Sequence, residues 1–376
     1  ADKDDAKEDD SKSDSKKSDT AKGSLDVSDI AAEALPSIVS LTTKSVQEVQ
    51  NYYGMYGMFG YAPQQQEQEV EGSGSGIIVG KNDDEYLIAT NYHVVEGADT
   101  LSVDLADGTA AEATVKGFDE EKDLAVVAVS VDDIDSDTKD AISVAKIGSS
   151  DDLKVGEQVI AIGNALGYGQ SVTTGVVSAK NREVSLTDGT MNLLQTDAAI
   201  NGGNSGGALL NASGEVIGIN VAKYSSSGSS SNASVEGMGF AIPISSVKDI
   251  ISDLETKETR TKVSEDERGY LGISGFDVDE QTSQAYSIPQ GIQVQSVVKG
   301  GPAENAGIAA SDVITKFDGQ DVSSMASLQS MLEYYKKGEQ VKVTIEYRDG
   351  REYKTKDVTV TLGDKSLIET TQNAAN

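Results

Sequence analysis

Short apolar runs, separated by turns rich in Gly, Asn and Asp, dominate the chain between residues 76 and 242. Runs of this kind are typical of β-strands joined by tight turns. They occur at Gly76–Val79, Leu101–Leu105, Leu124–Val129, Gln158–Ile162, Val216–Ile219 and Gly239–Ile242. The pattern predicts a mainly β domain made of two antiparallel barrels, and helical spacing over residues 247–254 predicts a short helix that closes it.

A second apolar pattern begins after the polar stretch 255–268. Helical spacing over residues 324–336 predicts one helix in this region. Strand-like runs occupy residues 270–273, 291–294, 340–347 and 356–362. We therefore expect a large domain over residues 25–255 and a smaller one over residues 262–363.

The two ends of the chain differ from these domains. Residues 1–24 contain no apolar side chain larger than Ala, which predicts a disordered linker, and we expect a flexible tail over residues 364–376. Residues 25–49 have helix-like apolar spacing with a break at Pro36-Ser37. The run 51–61, rich in Gly, Met and Tyr, fits either a mobile surface loop or an interaction loop that covers an active site or contacts a neighbouring subunit.

The composition narrows the function. The net charge of −31 argues against binding to nucleic acid or to anionic lipid. The chain has no cysteine, so disulfides and thiolate metal sites are excluded. The glycine-rich segment 72–76 lacks the Lys-Ser/Thr pair of a phosphate loop, and the spaced acids Asp133, Asp135 and Asp137 lack the Gly and Glu of a calcium loop. We therefore expect no cofactor and no metal.

Three residues suggest nucleophilic catalysis. His93 is the only histidine of the chain and follows a strand-like run, Asp123 stands before an apolar run, and Ser205 lies between glycines. The order His, Asp, Ser is one of the chain orders of the serine-protease triad. There the His accepts the Ser proton and the Asp orients the imidazole. The backbone amides of Gly203 and Ser205 could form an oxyanion hole.

Several segments together resemble the HtrA (DegP/DegS-like) family of serine endopeptidases. They are Thr90–Val95, Asp123–Val126, Gly163–Asn164, Gln195–Asn201 and Gly203–Leu209. The resemblance implies a chymotrypsin-like double β-barrel with His93, Asp123 and Ser205 as its triad. Asn204 stands where chymotrypsin-like digestive proteases carry an Asp that pairs with a newly cut N-terminus. The resemblance therefore implies a protease that such a cut does not activate.

Two further roles depend on this resemblance. The pocket for the residue before the cut lies, in this fold, beside the segment that precedes the nucleophile, where Ile200 would narrow it. We expect small or medium aliphatic residues in this pocket, with its far wall formed by residues 219–221 and 239–241. Arg182, in the polar segment 180–191, which we expect to be a flexible loop, matches a basic residue that relays regulatory contacts in the family. A solvated surface charge would have the same sequence signature.

The segments Gly301–Ile308 and Asp312–Ile314 resemble a PDZ domain in the circularly permuted order of HtrA proteases. A PDZ domain adds a peptide as a strand to a sheet edge and captures its C-terminal carboxylate with backbone amides. The amides implied here are those of Leu271, Gly272 and Ile273. One helix face fits either the wall of the side-chain pocket or a core face. Its residues are Leu328, Met331 and Leu332.

We therefore expect an ATP-independent serine endopeptidase of extracytoplasmic protein quality control. It would cleave unfolded or damaged proteins and be regulated when its PDZ domain binds C-terminal peptides. The resemblance further implies a homotrimer, formed through the apolar segment near residues 25–45, in the bacterial cell envelope, with an N-terminal anchor outside this chain. The alternative is a chaperone or peptide-binding sensor whose protease domain rests in an inactive state.

Overall fold

A computed structural model describes residues 26–49, 66–164, 169–186, 189–222, 237–350 and 352–366. The expectations for residues 1–24 and 51–61, and for the tail beyond residue 366, lie outside these ranges. Within the described ranges, no helix is both long and apolar enough to cross a membrane.

The first barrel is closed by six strands in the order β1-β2-β3-β6-β5-β4. These strands are β1 Ile38–Val49, β2 Gln66–Lys81, β3 Glu85–Thr90, β4 Thr100–Asp104, β5 Ala110–Asp119 and β6 Leu124–Ser130. Helix α1 Ser28–Ala34 and a 3₁₀ turn Leu35–Ser37 precede the barrel, and the short helix α2 Tyr92–Val95 follows β3. In β4 the side chains alternate between buried and more exposed, as a strand with one face on the core requires.

The second barrel repeats this architecture in the order β10-β11-β12-β9-β8-β7. A 3₁₀ turn Val131–Asp133 and helix α3 Ser136–Ala141 lead to it. Its strands are β7 Gln158–Asn164, β8 Gln170–Leu186, β9 Gly189–Thr196, β10 Ala208–Asn211, β11 Val216–Val221 and β12 Gly239–Pro243. Helix α4 Ile244–Glu255 closes the region, and its buried residues follow one helical face, as its sequence spacing predicts.

The two barrels share an apolar core. Strand β6 is buried on both faces. Leu124, Val126 and Ala128 belong to the cluster between the barrels, while Ala125 and Val127 belong to a cluster that fills the first barrel and continues into the C-terminal domain. A strand covered on both sides reads as a continuous apolar run, which is the pattern the sequence shows here.

The C-terminal domain is a six-stranded sheet in the order β13-β14-β15-β17-β18, with β16 paired to β15. Its elements are β13 Ile273–Val278, α5 Glu280–Tyr286, β14 Gly291–Val297, α6 Pro302–Asn305, β15 Val313–Phe317, β16 Gln320–Asp321, α7 Met325–Leu332, β17 Gln340–Asp349 and β18 Glu352–Thr361. The mainly β class with two barrels followed by a separate small sheet is confirmed.

The polar stretch 255–268 holds the domains together. The buried Lys116 side chain in β5 donates to Glu85 and to Thr259, with Nζ–O distances of 2.7 and 2.9 Å. One residue further on, Arg260 donates to Glu339 of the C-terminal domain at 2.8 Å. The stretch therefore contacts both domains through specific charged groups.

Two expectations about local structure are wrong. The helix-like spacing of 25–49 gives a helix only over Ser28–Ala34, because Pro36 lies in a 3₁₀ turn that begins at Leu35 and Ile38–Val49 forms strand β1. Ile38, Val39 and Leu41 are fully buried inside their own chain, so these apolar side chains need no partner subunit to cover them. Segment 180–191 is a hairpin of β8 and β9 as far as it is described, because its polar residues pair across the two strands.

Candidate active site

The antiparallel pairing of β3 and β6 brings His93 and Asp123 together. Thr90 lies opposite Ala125, so the residues just after β3 and just before β6 fall at the same end of the ladder. The imidazole Nδ1 of His93 lies 2.8 Å from Asp123 Oδ2 and 3.0 Å from Oδ1. The backbone amide of His93 donates to Oδ1 at 3.0 Å. The Asp123 side chain is 2% exposed, so it holds the imidazole in an environment where the hydrogen bond is strong.

The backbone around Asp123 is itself fixed. Asp123 has a positive φ of 50°, in the left-handed region that Asp tolerates better than most residues. Its carbonyl accepts from Asn91 Nδ2 at 3.0 Å, and its amide donates to the Glu120 carbonyl at 3.1 Å. A residue held in this conformation by its neighbours is a known feature of functional sites.

Ser205 lies 5% exposed in the turn of residues 201–207, which we call the Ser205 turn. Two backbone hydrogen bonds close this turn, from the Asn204 amide to the Asn201 carbonyl and from the Gly207 amide to the Asn204 carbonyl, both at 3.0 Å. A third, from the Gly206 amide to the Asn220 carbonyl at 2.9 Å, ties the turn to β11. In the described part of the chain, the amides of Gly203 and Ser205 donate to no other group. Two such amides in one turn are what an oxyanion hole requires.

The Ser205 hydroxyl does not bond to His93 in this structure. Its Oγ accepts a hydrogen bond from the Ala222 amide at 3.0 Å. Among the bonds of the described residues, none joins Oγ to the His93 ring. Proton transfer to the imidazole therefore needs a change in the Ser205 side chain, which a bound substrate can bring about because catalytic hydrogen bonds often tighten only in the complex.

His93 and Ser205 line one wall of a cleft of about 940 Å³. Ile200 also lines this cleft and is 6% exposed. The expected far wall is placed differently: Ala222, Gly237 and Met238 line the cleft. The expected residues 219–221 and 239–241 are buried and do not belong to the described lining, because β11 and the start of β12 are covered on both faces.

The charged groups in the cleft are acidic. Glu96 and Asp197 belong to its lining together with His93, which is the only other titratable residue among the described residues that line it. Asp197 Oδ1 accepts from the Val176 amide at 2.7 Å, so this carboxylate is already engaged with β8. Among the described residues, no group of three or more His, Asp or Glu side chains could hold a metal ion.

Sequence reasoning missed the residues that support the site from a distance. Ser75, Asn91 and Ala222 bond respectively to the Ser205 turn, to the Asp123 carbonyl and to the Ser205 hydroxyl. Met238 lines the cleft. Asn91 had the one readable signal, since a buried Asn between a strand and His93 needs a partner.

The proposed regulatory and peptide-binding residues lie elsewhere. Arg182 is exposed on β8, paired with Leu193, in a hairpin instead of a loop. Leu271 is buried and Gly272 has a φ of 73°, and within the described residues neither donates its amide to another group, whereas Ile273 begins β13. The face of α7 that fits either a pocket wall or a core face is buried in the core. Its residues Leu328, Met331 and Leu332 are 1–7% exposed in the core cluster.

Comparison with known proteins relates this geometry to a family. A family model described as a trypsin-like peptidase domain matches residues 74–219, and a PDZ domain matches residues 269–362. The chain is 41% identical over 303 residues to "Serine protease Do-like HtrA" of Bacillus subtilis, covering 76% of this chain and 63% of that protein. It is 39% identical over 322 residues to the protein of the same name from Lactococcus lactis, covering 82% of this chain and 75% of that protein.

Two further matches extend this picture. A "Probable periplasmic serine protease do/HhoA-like" of Haemophilus influenzae is 37% identical over 296 residues, covering 78% of this chain and 59% of that protein. Among solved structures, a variant of the HtrA-type protease AlgW with a decapeptide matches with a TM-score of 0.53 and 30% identity, covering 91% of this chain and 98% of that chain. The chain thus spans less than two thirds of the length of some of these relatives.

Proposed function

Because the chain belongs to the HtrA family of serine proteases, with a trypsin-like peptidase domain before a PDZ domain, we propose that it hydrolyses peptide bonds through His93, Asp123 and Ser205. One observation carries the assignment of residues: the buried Asp123 carboxylate holds the His93 ring at 2.8 Å, on the wall of the cleft that Ser205 also lines. The family resemblance found in the sequence is confirmed.

The chemistry follows from these positions. Ser205 Oγ attacks the scissile carbonyl carbon while His93 accepts the hydroxyl proton, and Asp123 stabilises the imidazolium that forms. The carbonyl oxygen becomes an alkoxide near the free amides of Gly203 and Ser205. Collapse of the tetrahedral intermediate breaks the C–N bond, and His93 gives its proton to the leaving amine. Water then hydrolyses the acyl-enzyme by the same steps.

Single substitutions test this proposal. Ser205→Ala, His93→Ala and Asp123→Ala should each lower kcat on an unfolded protein roughly 10⁴-fold or more, because a triad acts as a unit. Ser213→Ala, at an exposed serine in the turn after β10, serves as the matched control and should cleave like the unmodified chain. Near-normal cleavage by folded His93→Ala would overturn the assignment.

We also propose that the substrates are unfolded or damaged proteins, cut after small or medium aliphatic residues. The apolar side chains of Ile200, Ala222 and Met238, which line the same cleft as Ser205, support this preference. An apolar pocket discriminates by only about 1–3 kcal/mol per methylene, so many sites should be cut. Product mapping on a denatured protein should show Val, Ala, Ile and Leu before the cuts, and mainly Lys or Arg there would contradict the proposal.

The C-terminal domain, we propose, binds peptides with a free C-terminal carboxylate at Leu271, Gly272 and Ile273, and thereby raises protease activity. The unengaged amides of Leu271 and Gly272 support the first part, as does the decapeptide present with the AlgW neighbour. An amidated peptide should bind far more weakly, because it lacks the charge that these amides would capture.

The contacts between the domains support a particular route for this regulation. The hydroxyls of Ser323 and Ser324, at the start of α7, donate to Glu120 Oε2 at 3.2 and 3.1 Å. The carbonyl of Glu120 in turn accepts from the Asp123 amide at 3.1 Å. Helix α7 packs beside β13, so a peptide at β13 would act on the helix that holds the loop before Asp123. A ligand regulates only through such a difference between states.

Three variants compare this route with the one through Arg182. Glu120→Ala should keep peptide affinity and lose most of the stimulation of cleavage. Glu112→Ala, at an exposed glutamate on β5, the strand that leads to Glu120, should keep both. If Arg182→Ala loses stimulation while Glu120→Ala retains it, the relay runs through the β8–β9 hairpin instead.

Location and assembly are proposals of the same kind. An extracytoplasmic site in a bacterial cell envelope is supported by the name of the Haemophilus influenzae relative, which calls that protein periplasmic. A homotrimer now depends on the family resemblance alone, since the apolar residues near 38–41 are buried within the chain. Light scattering at micromolar concentration should give three times the monomer mass, and a monomer would refute it.

One observation favours the alternative of a sensor that rests in an inactive state. The bond from the Ala222 amide to Ser205 Oγ occupies the nucleophile. In that case the chain should bind unfolded proteins and suppress their aggregation without cutting them until a PDZ ligand is added. Cleavage at the full rate in the absence of any PDZ ligand would exclude this alternative.

A further inference from the structure

Ser75, in the middle of β2, joins the first barrel to the Ser205 turn of the second. Its side chain is fully buried, and its hydroxyl donates to the Gly203 carbonyl at 2.7 Å. Its backbone amide donates to the Ser205 carbonyl at 2.8 Å. Ser75 thus holds both residues whose amides would form the oxyanion hole, although it lies more than a hundred positions earlier in the chain.

The direction of the Ser75 hydroxyl is fixed by a third bond. The Asn164 amide donates to Ser75 Oγ at 2.7 Å, so the oxygen already acts as an acceptor on that side. The hydroxyl proton is then directed to the Gly203 carbonyl. The Ser75 carbonyl also accepts from Thr90 Oγ1 at 2.7 Å, which anchors β2 to the strand that leads to His93.

The bond matters because Gly203 can change conformation easily. Gly203 has a φ of 91° and lacks the Cβ that restricts other residues to a few backbone states. Its carbonyl shares a peptide plane with the Asn204 amide, and this plane lies between the two planes that carry the amides of Gly203 and Ser205. Ser75 holds the carbonyl of the middle plane and the Asn201 carbonyl accepts from its amide, which restricts the rotations that would turn the amides on either side.

We propose that Ser75 is a positioning residue for catalysis, whose hydroxyl fixes the Gly203 carbonyl and so keeps the oxyanion-hole amides aimed into the cleft. This inference rests on the proposed peptidase function. The glycine-rich segment 72–76 thereby acquires a role: it is an interior part of β2 that supports the nucleophile, and the phosphate loop it superficially resembles is absent.

The test is Ser75→Ala in the full chain, with kcat and KM measured on a peptide with Val before the cut. Loss of an oxyanion-hole donor costs about 10²–10³ in kcat. Ser75 acts on the donors indirectly, so we expect kcat to fall roughly ten- to a hundredfold while KM stays within about twofold. A loss of folded protein would also lower the apparent kcat at unchanged KM, so kcat is expressed per folded molecule.

A second readout isolates the oxyanion hole. In a peptide boronic acid, boron accepts the Ser205 Oγ lone pair while the hydroxyl proton moves to His93, and the tetrahedral adduct places an oxygen in the hole. Its affinity should fall by the same factor as kcat/KM in Ser75→Ala. The matching product peptide, which forms no such adduct, should bind with unchanged affinity.

Ser37→Ala is the matched control. Ser37 is 4% exposed and its hydroxyl also donates to a backbone carbonyl at 2.7 Å, that of Ala34 in the turn before β1. It should leave kcat and boronate affinity within about twofold of the unmodified chain, because no hydrogen bond among the described residues connects Ser37 to the Ser205 turn. Equal losses in Ser37→Ala and Ser75→Ala would show a general effect of cavity formation and overturn the inference.

The remaining outcomes are separable. If the unmodified chain neither cleaves nor binds the boronate while Ser205→Ala behaves alike, the peptidase function fails. If it does both and folded Ser75→Ala does so equally well, only the role of Ser75 fails. Should Ser75→Ala not fold, Ser75→Cys keeps nearly the same shape with a weak donor and should still lose kcat. Full activity of folded Ser75→Cys would then contradict the inference.

Discussion

The packing of the Ser205 turn against the first barrel can be tested by adding a single methyl group, in Gly206→Ala. Gly206 follows Ser205 and has a φ of 83°. A Cβ built there would lie 2.2 Å from the Ser75 carbonyl oxygen and 2.2 Å from Thr90 Oγ1, both on the first barrel. Ordinary contact distances begin near 3.4 Å. Neither neighbour can move freely, because Thr90 Oγ1 and the Ser75 carbonyl are bonded to each other.

The expected cost has two parts. A non-glycine residue in the left-handed region costs about 1–2 kcal/mol. Forcing a methyl group into closely packed surroundings costs about 1–3 kcal/mol more. Gly108→Ala separates the two, since Gly108 has a φ of 86° in the turn after β4 and nothing lies within 4 Å of its would-be Cβ. Gly206→Ala should therefore lower the free energy of unfolding by about 2–5 kcal/mol, and Gly108→Ala by about 1–2 kcal/mol.

Urea denaturation of both variants, followed by peptide hydrolysis under native conditions, measures these effects. Gly206→Ala should also lose most of its kcat, because the barrels can relieve the overlap only by moving Ser205 relative to His93. Gly108→Ala should keep its kcat. Equal free energies of unfolding for the two variants, together with full activity of Gly206→Ala, would refute the packing of the Ser205 turn between the barrels.

Three further predictions concern charge and specificity. Burial raises the pKa of the Asp119 carboxyl, and Asp321 across the domain contact raises it further. A carboxyl whose pKa is raised in the folded state favours the fold only in its protonated form. Asp119→Asn should therefore have a higher free energy of unfolding than the unmodified chain at about pH 7. Urea denaturation should show this difference shrinking toward about pH 4, where the carboxyl is protonated. Lys116→Met leaves Glu85 without its buried partner and should cost about 2–4 kcal/mol in the same assay, whereas the double variant with Glu85→Gln should recover part of it. Ile200→Ala widens the pocket, so kcat/KM for peptides with Phe or Tyr before the cut should rise roughly ten- to a hundredfold, and product mapping should show more cuts after these residues. An unchanged cleavage profile would remove Ile200 from the pocket.

The grouping of His93, Asp123 and Ser205 at one cleft could be predicted from the sequence because its signals are local. His93 and Asp123 stand at strand ends that antiparallel pairing brings together, and the glycines around Ser205 announce a turn. The barrels themselves were predictable for a similar reason, since each strand is a short apolar run with turn residues at its ends.

The errors share a physical cause as well. Strand β1 buries Ile38, Val39 and Leu41 against two different clusters, so its apolar residues lack the alternation that distinguishes a strand from a helix. The hairpin of β8 and β9 extends with polar residues, and exposed hydrogen-bonded strands have no apolar signature. Ser75 lies in a glycine-rich segment without an apolar pattern, and its partner Gly203 is 128 positions away. Only the folded chain brings those two residues together.

Ser75 and Glu120, the two anchors that hold the backbone of the site, lie in different parts of the molecule. Their effects on activity can therefore be measured separately. Ser75 holds the oxyanion side through β2, whereas Glu120 holds the Asp123 amide and is itself held by the start of α7. Among the described residues, no hydrogen bond connects the two anchors directly. If they act independently, the losses of peptide-stimulated activity in Ser75→Ala and Glu120→Ala should add in the double variant to within about 0.5 kcal/mol. A smaller combined loss would mean that a peptide bound at the C-terminal domain also acts on the Gly203 carbonyl, so that regulation and the oxyanion hole share one path.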